Sequence, residues 1–589
     1  MADDRPFQTG RRLLGYVRAS AGRLVLVLAA LGLNSAAMLL LPWLAKDLFR
    51  DAVQNQQMGG VYAVLGLILG ALLVVYVTRF FVDDQLETVC LRMMERVRND
   101  LVGKLLRLPV SHFIRCPNGE ALARAFNDVQ ALKGFLYYAC FAAGSDVLWV
   151  LGSLGMLFLM SWRLSLITTA IVLGGAGVIT CVSRWSRYRS RRVQEALAGM
   201  TGLLAEQVSA IPTIHAYGGA EYERRRFADR AQHHVREAVL GNRLHAGSRA
   251  LVNILGAVGV VVVLGFGASE VMAGQAAGAA GLKLEGLVSF GLYAVLLFEP
   301  LTRLSRANSE IQQSLAAAQR VFQLLDTPAE KAGSGQPLAA RPRGVVRFES
   351  LTFHYRPDEP VLRGLDLTVE PGQTVAVVGP SGAGKSTLGY LALRFYEPDS
   401  GRVLLDGRDL RDLRLPDLRH HVGWLGQEPF LFSGTVADNL RYGCWDAGRP
   451  EVERAARLAC ADPFIRALPH GYDSRIGERG ADLSGGQRAR LALARLILRA
   501  PAVVILDEAT AALDTETESR LWKGLEGWLA ERSSLVIAHR LTTVLGCPRI
   551  VVLDQGHKVG DGNAEQLQHT CPTFRRLFEE QMNPTPRAA

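Results

Sequence analysis

Five apolar runs long enough to cross a bilayer, and a shorter sixth, fall before residue 305. A helix needs about 20 mostly apolar residues to span the hydrocarbon core. Leu24 to Leu44, Val61 to Thr78, Leu164 to Ser183 and Leu251 to Ser269 carry no charge, and Gly134 to Trp162 carries only Asp146. The sixth run, Gly286 to Phe298, ends at Glu299-Pro300. It becomes a span only if Glu299 and Arg303 face protein or water rather than lipid, as a pore-lining helix would allow. A charge at mid-membrane costs about 2.5–3.5 kcal/mol. Counting about 20 residues back from the Trp162-Arg163 boundary starts the third span near Phe141 and puts Asp146 at its cytoplasmic end. A substrate-binding or proton-relay role for Asp146 is the alternative reading.

Short loops join spans one to two, three to four and five to six. The intervals from two to three and from four to five are long, rich in Arg, Glu, Leu and Ala, and poor in breakers, so they predict helices continuing into water. Lys and Arg set the orientation: twenty-six lie in the N-terminal segment and the intervals 79–133 and 184–249, against four on the other side (Lys46, Arg50, Arg163 and Lys283). The N-terminus and both long intervals are therefore cytoplasmic. Residues 8–23 read as an amphipathic helix lying on the membrane. The N-terminus, with its acidic residues and no immediate apolar core, does not read as a cleavable signal peptide.

This topology accounts for part of the net charge of +10, which alone could also mean nucleic acid. A soluble nucleic-acid ATPase does not fit the spans. The eight cysteines (Cys90, Cys116, Cys140, Cys181, Cys444, Cys460, Cys547 and Cys571) show no CxxC or Cys/His spacing. They read as reduced thiols, with neither a metal site nor a disulfide framework.

After residue 345 the chain reads as a soluble α/β domain. Three domains are expected: 1–325 transmembrane, 326–344 a Pro/Gly/Ala-rich linker, and 345–589 the α/β domain, whose motifs give its ligand. Val345 to Phe348 and Thr374 to Val378 read as strands. The second leads into Gly379-Pro-Ser381-Gly382-Ala-Gly384-Lys385-Ser386-Thr387, a phosphate-binding loop, GxxxxGK[ST], between strand and helix. Its glycines let backbone N–H groups turn toward a phosphate, and the helix dipole adds to the attraction. Lys385 is the expected contact to the terminal phosphates of ATP, and Ser386 the expected ligand of Mg²⁺. Val503 to Leu506 is an apolar strand ending in Asp507-Glu508. Asp507 is placed to hold the Mg²⁺ shell, and Glu508 to polarise the water that attacks the γ-phosphate.

Between these motifs stands Leu483-Ser484-Gly485-Gly486-Gln487. This LSGGQ makes the chain resemble the ATP-binding cassette (ABC) family, and other family elements follow in order. By that resemblance Tyr355 stacks on adenine, and Gln427 senses Mg²⁺ and contacts the membrane domain. Glu478-Arg479-Gly480 looks like the element preceding the signature in exporters. Ala512-Leu513-Asp514 looks like the loop that crosses the dimer interface, and His539 like the γ-phosphate contact. Asn118-Gly119-Glu120, Asn127-Asp128-Val129, Glu206 and Ile211 to Gly218 also resemble exporter patterns. Six spans ahead of one ATPase is the layout of exporter-type half-transporters, the lipid A flippase and multidrug exporter group.

The resemblance implies an α-helical transmembrane domain followed by an α/β nucleotide-binding domain, and alternating access driven by Glu508-assisted hydrolysis. In the family, LSGGQ closes over ATP held by a second cassette, so a dimer is required. With Glu508, His539 and LSGGQ intact, a homodimer is favoured over a heterodimer. The spans, mostly Leu, Val, Gly and Ala, suggest an amphipathic or hydrophobic cargo: a lipid, drug or peptide-like natural product. Membrane lipids, but no nucleic acid, are expected partners, and the location is the bacterial inner membrane. The competing expectations are a siderophore importer on the same fold and a membrane-bound regulatory ATPase.

Overall fold

A computed structural model describes residues 5–54, 56–115, 124–277, 283–330, 335–338, 341–356, 359–477, 480–538 and 540–582. The chain divides into two compact units, Met1–Leu106 with Asn118–Thr327, and Arg107–Pro117 with Pro328–Ala589.

The first unit is helical. Helices α1 (Arg5–Val17), α2 (Ala21–Phe49) and α3 (Met58–Leu105) open the chain, followed by the short α4 (Val110–Arg115), which groups with the second unit. Then come α5 (Ala143–Met160), α6 (Trp162–Ser209), α7 (Ile211–Ala216), α8 (Ala220–Ala277), α9 (Leu284–Leu296) and α10 (Phe298–Asp326). Among the described residues the long intervals are largely helix. α3 and α6 each run 48 residues and α8 runs 58, so at 1.5 Å per residue they reach about 70–90 Å, far beyond a bilayer. Each carries its apolar run at one end and its charges at the other. Three stretches, in α2, α3 and α8, are long and apolar enough to cross a membrane by themselves; Gly144–Met160, Trp162–Gly175 and Leu284–Leu296 are shorter apolar helices. Leu69, Phe80 and Leu159 are 70%, 76% and 82% exposed, the outward apolar surface that a lipid-facing helix presents.

Because lipid gives helices no hydrophobic reason to associate, polar groups and close packing hold such a unit together. The Asn34 amide donates to Val75 O and Thr78 Oγ1 at 2.8 and 2.9 Å, joining α2 to α3. Pro42 lies inside α2, where its missing N–H breaks the backbone ladder. From α9, the hydroxyls of Ser289 and Tyr293 donate to Pro42 O and Leu39 O around that break. These bonds tie α9 to the turn of α2 that holds the proline.

Helix α1 was expected to lie on the membrane. Its apolar side is instead covered by protein, with Leu13 and Val17 only 1% and 2% exposed. Arg12 makes a two-pronged ion pair with Asp326 at 2.6–2.7 Å, and Tyr16 Oη donates to Asp100 at 2.8 Å. The pair raises Arg12 and lowers Asp326 from their ordinary pKa values, chiefly through this hydrogen bonding.

The second unit is built on two sheets. Strands β1 (Val346–Arg356), β2 (Glu359–Val369), β4 (Ser400–Leu405) and β5 (Arg408–Asp409) form an antiparallel sheet in the order β2-β1-β4-β5. The larger sheet combines β3 (Thr374–Val378), β6 (Val422–Leu425), β9 (Val503–Asp507), β10 (Ser533–Ile537), β11 (Arg549–Asp554) and β12 (His557–Gly562), in the order β12-β11-β3-β10-β9-β6. A two-stranded pair, β7 (Gly434–Thr435) and β8 (Arg475–Ile476), completes the set. In the larger sheet all strands but β12 run parallel. Alternate residues feed opposite cores: Val375, Val377, Val503 and Ile505 one, and Ala376, Val378, Val504 and Leu506 the other. Burial on both faces explains the unbroken apolar reading of these strands. Parts of the expected linker are tied into this unit. The Glu330 carboxylate takes two hydrogen bonds from Arg419 at 2.7 and 2.9 Å, and Glu330 N donates to Arg107 O.

Candidate functional site

In a parallel sheet, ligand sites gather beyond the carboxyl ends of the strands. Here β3 ends just before Gly379, β9 ends at Asp507 and β6 ends two residues before Gln427. The loop after β3 opens α11 (Lys385–Ala392), and Gly379, Gly382 and Gly384 have φ of +156°, +82° and +95°. Ser381 and Gly382 are exposed, Gly384, Lys385 and Thr387 buried, and Ser386 half-buried. The Lys385 ammonium, 6% exposed, donates to Gly379 O and Pro380 O, both at 2.9 Å. Burial lowers its pKa, partly opposed by the charges of Glu508 and Asp507. Both carboxylates stand at the carboxyl end of β9, which is separated from β3 by β10 alone.

Asp507 ends β9 and is 4% exposed. Glu508 follows at φ +51°, a left-handed conformation unusual for a side-chain-bearing residue, and its N–H donates to Ile537 O at 3.0 Å. The turn aims the side chain at Gln427, whose amide donates to Glu508 Oε2 at 2.8 Å, 81 residues away in sequence.

Tyr355 Oη and Thr387 Oγ1 share a 3.1 Å hydrogen bond, and the Tyr355 ring meets Phe353 and Tyr396 edge-on. Burial raises its pKa. The ring thus stands at the first turn of α11.

The signature opens α12 (Gly485–Arg499). Ser484 Oγ accepts from Gln487 N at 3.2 Å, and the Gln487 side chain accepts from Ser484 N at 2.9 Å, a reciprocal cap of the helix start. A β-carbon on Gly486 would lie 3.0 Å from Ala512 O, and one on Gly485 3.2 Å from Ala512 Cβ. The signature and the loop ending at Asp514 are therefore packed on each other within one chain. Asp514 caps α13 (Thr515–Leu529) by accepting from Thr517 N at 2.9 Å, which holds its carboxyl below the usual range. His539, Glu478, Arg479 and Asn118-Gly119-Glu120 lie outside the described residues, as does the Glu299 side chain.

The first unit contains a cavity of about 460 Å³. Its walls combine rings such as Phe141 and Trp149 with Arg79, Asp83, Asp146 and Arg303. Asp146, 5% exposed, pairs with the Arg303 guanidinium through bonds of 2.8 to 3.2 Å. The sequence flagged both residues but could not join them across 157 positions. Asp146→Ala is expected to destabilise the detergent-solubilised protein by about 1–3 kcal/mol, the cost of orphaning charge-assisted hydrogen bonds. Arg303, with its side chain 47% exposed, recovers part of that in water. Thermal unfolding of the two proteins measures it, and an unchanged midpoint would show that the pair contributes nothing.

Similarity to known proteins extends along both units. Residues 24–301 match the ABC transporter transmembrane region, and residues 362–511 match the ABC transporter domain. The chain is 35% identical over 574 residues to an ATP-dependent lipid A-core flippase of Chromobacterium violaceum, covering 97% of each protein. It is 37% identical over 557 residues to the flippase of the same description from Thiobacillus denitrificans, covering 94% of each. A solved bacterial Atm1-family ABC exporter with ATP bound superposes with a TM-score of 0.79 at 27% identity, over 97% of this chain and 99% of that one.

Proposed function

The chain belongs to the ABC transporter family, and we propose that it is one half of a dimeric pump that exports or flips an amphipathic cargo. ATP hydrolysis drives the movement, and the cargo is a lipid, drug or peptide-like molecule crossing the inner membrane of a bacterium. Lipid is the first candidate, given the flippases that the chain resembles from end to end. The single observation that carries the reading is the meeting of Gln427 with Glu508 at 2.8 Å beside the phosphate loop, in a chain whose other unit carries membrane-spanning helices.

The residues present fit a nucleotide and its metal. Space is open around Gly382, where an added Cβ would meet nothing within 4 Å, so the loop leaves room for a phosphate beside it. Ser386, Asp507 and the Gln427 amide offer hard oxygen donors of the kind Mg²⁺ accepts. When bound, Mg²⁺ neutralises charge developing on the phosphates. We assign Tyr355 to the adenine, Gly379, Ser381, Gly382, Gly384 and Thr387 to the phosphates, and Lys385 to their terminal charge. Glu508 accepts a proton from the attacking water, and Gln427 holds that carboxylate in place. His539 is assigned to the γ-phosphate by its sequence motif.

Ser484, Gly485, Gly486, Gln487 and Asp514 serve the ATP of a second copy, which makes the working unit a dimer, favoured as a homodimer. Residues 1–325 form the transmembrane domain, 326–344 the linker and 345–589 the cassette. Closure of two cassettes over ATP turns the pathway outward through the long helices, and hydrolysis resets it.

Proteoliposomes holding the purified protein test this. ATP should drive labelled lipid A or a fluorescent amphiphile from one leaflet to the other, while a non-hydrolysable analogue should not. ATPase activity with no movement of any cargo would instead identify a regulatory ATPase.

A further inference from the structure

One buried carboxylate behind the site has no assigned role. Glu518, in the first turn of α13, is 3% exposed. Its Oε1 accepts the hydroxyls of Thr510 and Thr543, both at 2.7 Å, and its Oε2 accepts Arg540 Nη1 at 2.8 Å. Those donors come from three places: the turn just after Glu508, the residue just after His539, and α14 (Leu541–Leu545). Arg540 also donates to Leu513 O at 2.9 Å and Ala511 O at 2.8 Å, the loop on which Gly485 and Gly486 pack.

An apolar side chain would fill this position without the desolvation cost of a buried carboxylate. What the carboxylate adds is directional. It ties the backbone that leaves Glu508, the Arg540 side chain and the loop under the signature to a single point. Burial pushes the Glu518 pKa up, but the donors Thr543, Thr510 and Arg540 outweigh it and hold the group below its ordinary value. The group therefore acts as an acceptor only.

We propose that Glu518 is a positioning residue for ATP hydrolysis, setting the placement of Glu508 relative to the 511–514 loop through Thr510, Thr543 and Arg540. The inference rests on the hydrolytic roles given above. A displacement of about 1 Å in a reacting group can cost about a hundredfold in rate, whereas nucleotide binding at the phosphate loop does not pass through Glu518. The split between binding and turnover thus separates positioning from mere support of the fold.

The test uses the full-length protein in nanodiscs, with fluorescent ATP binding, steady-state ATPase and thermal unfolding measured side by side. Glu518→Gln keeps size and shape but replaces one acceptor oxygen with a donor. We expect kcat to fall about 10- to 100-fold, with nucleotide Kd within about threefold of the parent and KM following it. Thr543→Val, nearly isosteric, removes a single donor and should lower kcat severalfold with the unfolding midpoint almost unmoved. It decides the matter if Glu518→Gln does not fold. Unchanged kcat in Thr543→Val, or equal losses of binding, turnover and thermal stability in Glu518→Gln, would overturn the proposal. Glu508→Gln serves as the separate control: if that variant keeps turning over, the assignment of the base fails and not the positioning role.

Discussion

Replacing Glu508 with Gln is expected to lower steady-state ATP hydrolysis by about 10²- to 10⁴-fold, the usual contribution of a positioned general base. Nucleotide affinity should stay within a few-fold of the parent. The side chain is nearly isosteric, and the left-handed turn that aims it, with its N–H bonded to Ile537 O at 3.0 Å, is set by the backbone. The Gln427 amide, 2.8 Å away, can still donate to the new side-chain oxygen. What disappears is the capacity to take a proton from water. The phosphate loop keeps its geometry, so ATP binds and is not cleaved, and an ATP-bound form accumulates. Single-turnover hydrolysis and equilibrium binding on the same preparation check both halves. Turnover above about a tenth of the parent rate would remove Glu508 from the role of base.

The second large effect is expected at Gly384, immediately before Lys385. Its φ of +95° lies where a β-branched residue is a severe outlier, and an added Cβ would sit 2.7 Å from Leu362 Cδ2 and 2.9 Å from Val361 O. The left-handed backbone alone costs about 1–2 kcal/mol. The backbone oxygen cannot retreat without disturbing β2, so Gly384→Val should cost about 3 kcal/mol or more in the loop's native form. At 1.4 kcal/mol per decade this is over a hundredfold in nucleotide affinity. Gly382→Ala is the informative comparison. Its φ is +82°, but an added Cβ meets nothing within 4 Å. Only the backbone term of about 1 kcal/mol then applies, roughly a fivefold loss. Calorimetric titration with a non-hydrolysable ATP analogue measures both. Equal effects at the two positions would show that the close approach to Val361 has no energetic weight.

Much of this protein is written in local pattern. The apolar runs, their charged extensions and the Lys/Arg bias are properties of contiguous chain, and helix in lipid satisfies its backbone within itself. The long helices α3, α6 and α8 are therefore legible without any tertiary information. The phosphate loop is equally local: strand, glycines, Lys385 and helix follow within a dozen residues, and the positive φ angles at Gly379, Gly382 and Gly384 are the freedom that glycine supplies. Helix α1 shows where local pattern stops. Its amphipathic spacing reports one apolar side, but a membrane and a protein surface bury that side equally well. Only the packing of Leu13 and Val17, and the tie from Arg12 to Asp326, chose protein.

The sequence by itself determined the kinds of element, their order and the residue types a nucleotide site needs, because each depends on neighbours within a few turns. Tertiary structure alone decided which distant groups meet. Gln427 reaches Glu508 across 81 residues, Arg303 reaches Asp146 across 157, and Glu518 gathers Thr510, Arg540 and Thr543. Those meetings follow from strand order in the parallel sheet and from helix packing, which bring positions far apart in the chain within 3 Å. A polar residue read singly gives no sign of them, since its partner is chosen by the fold.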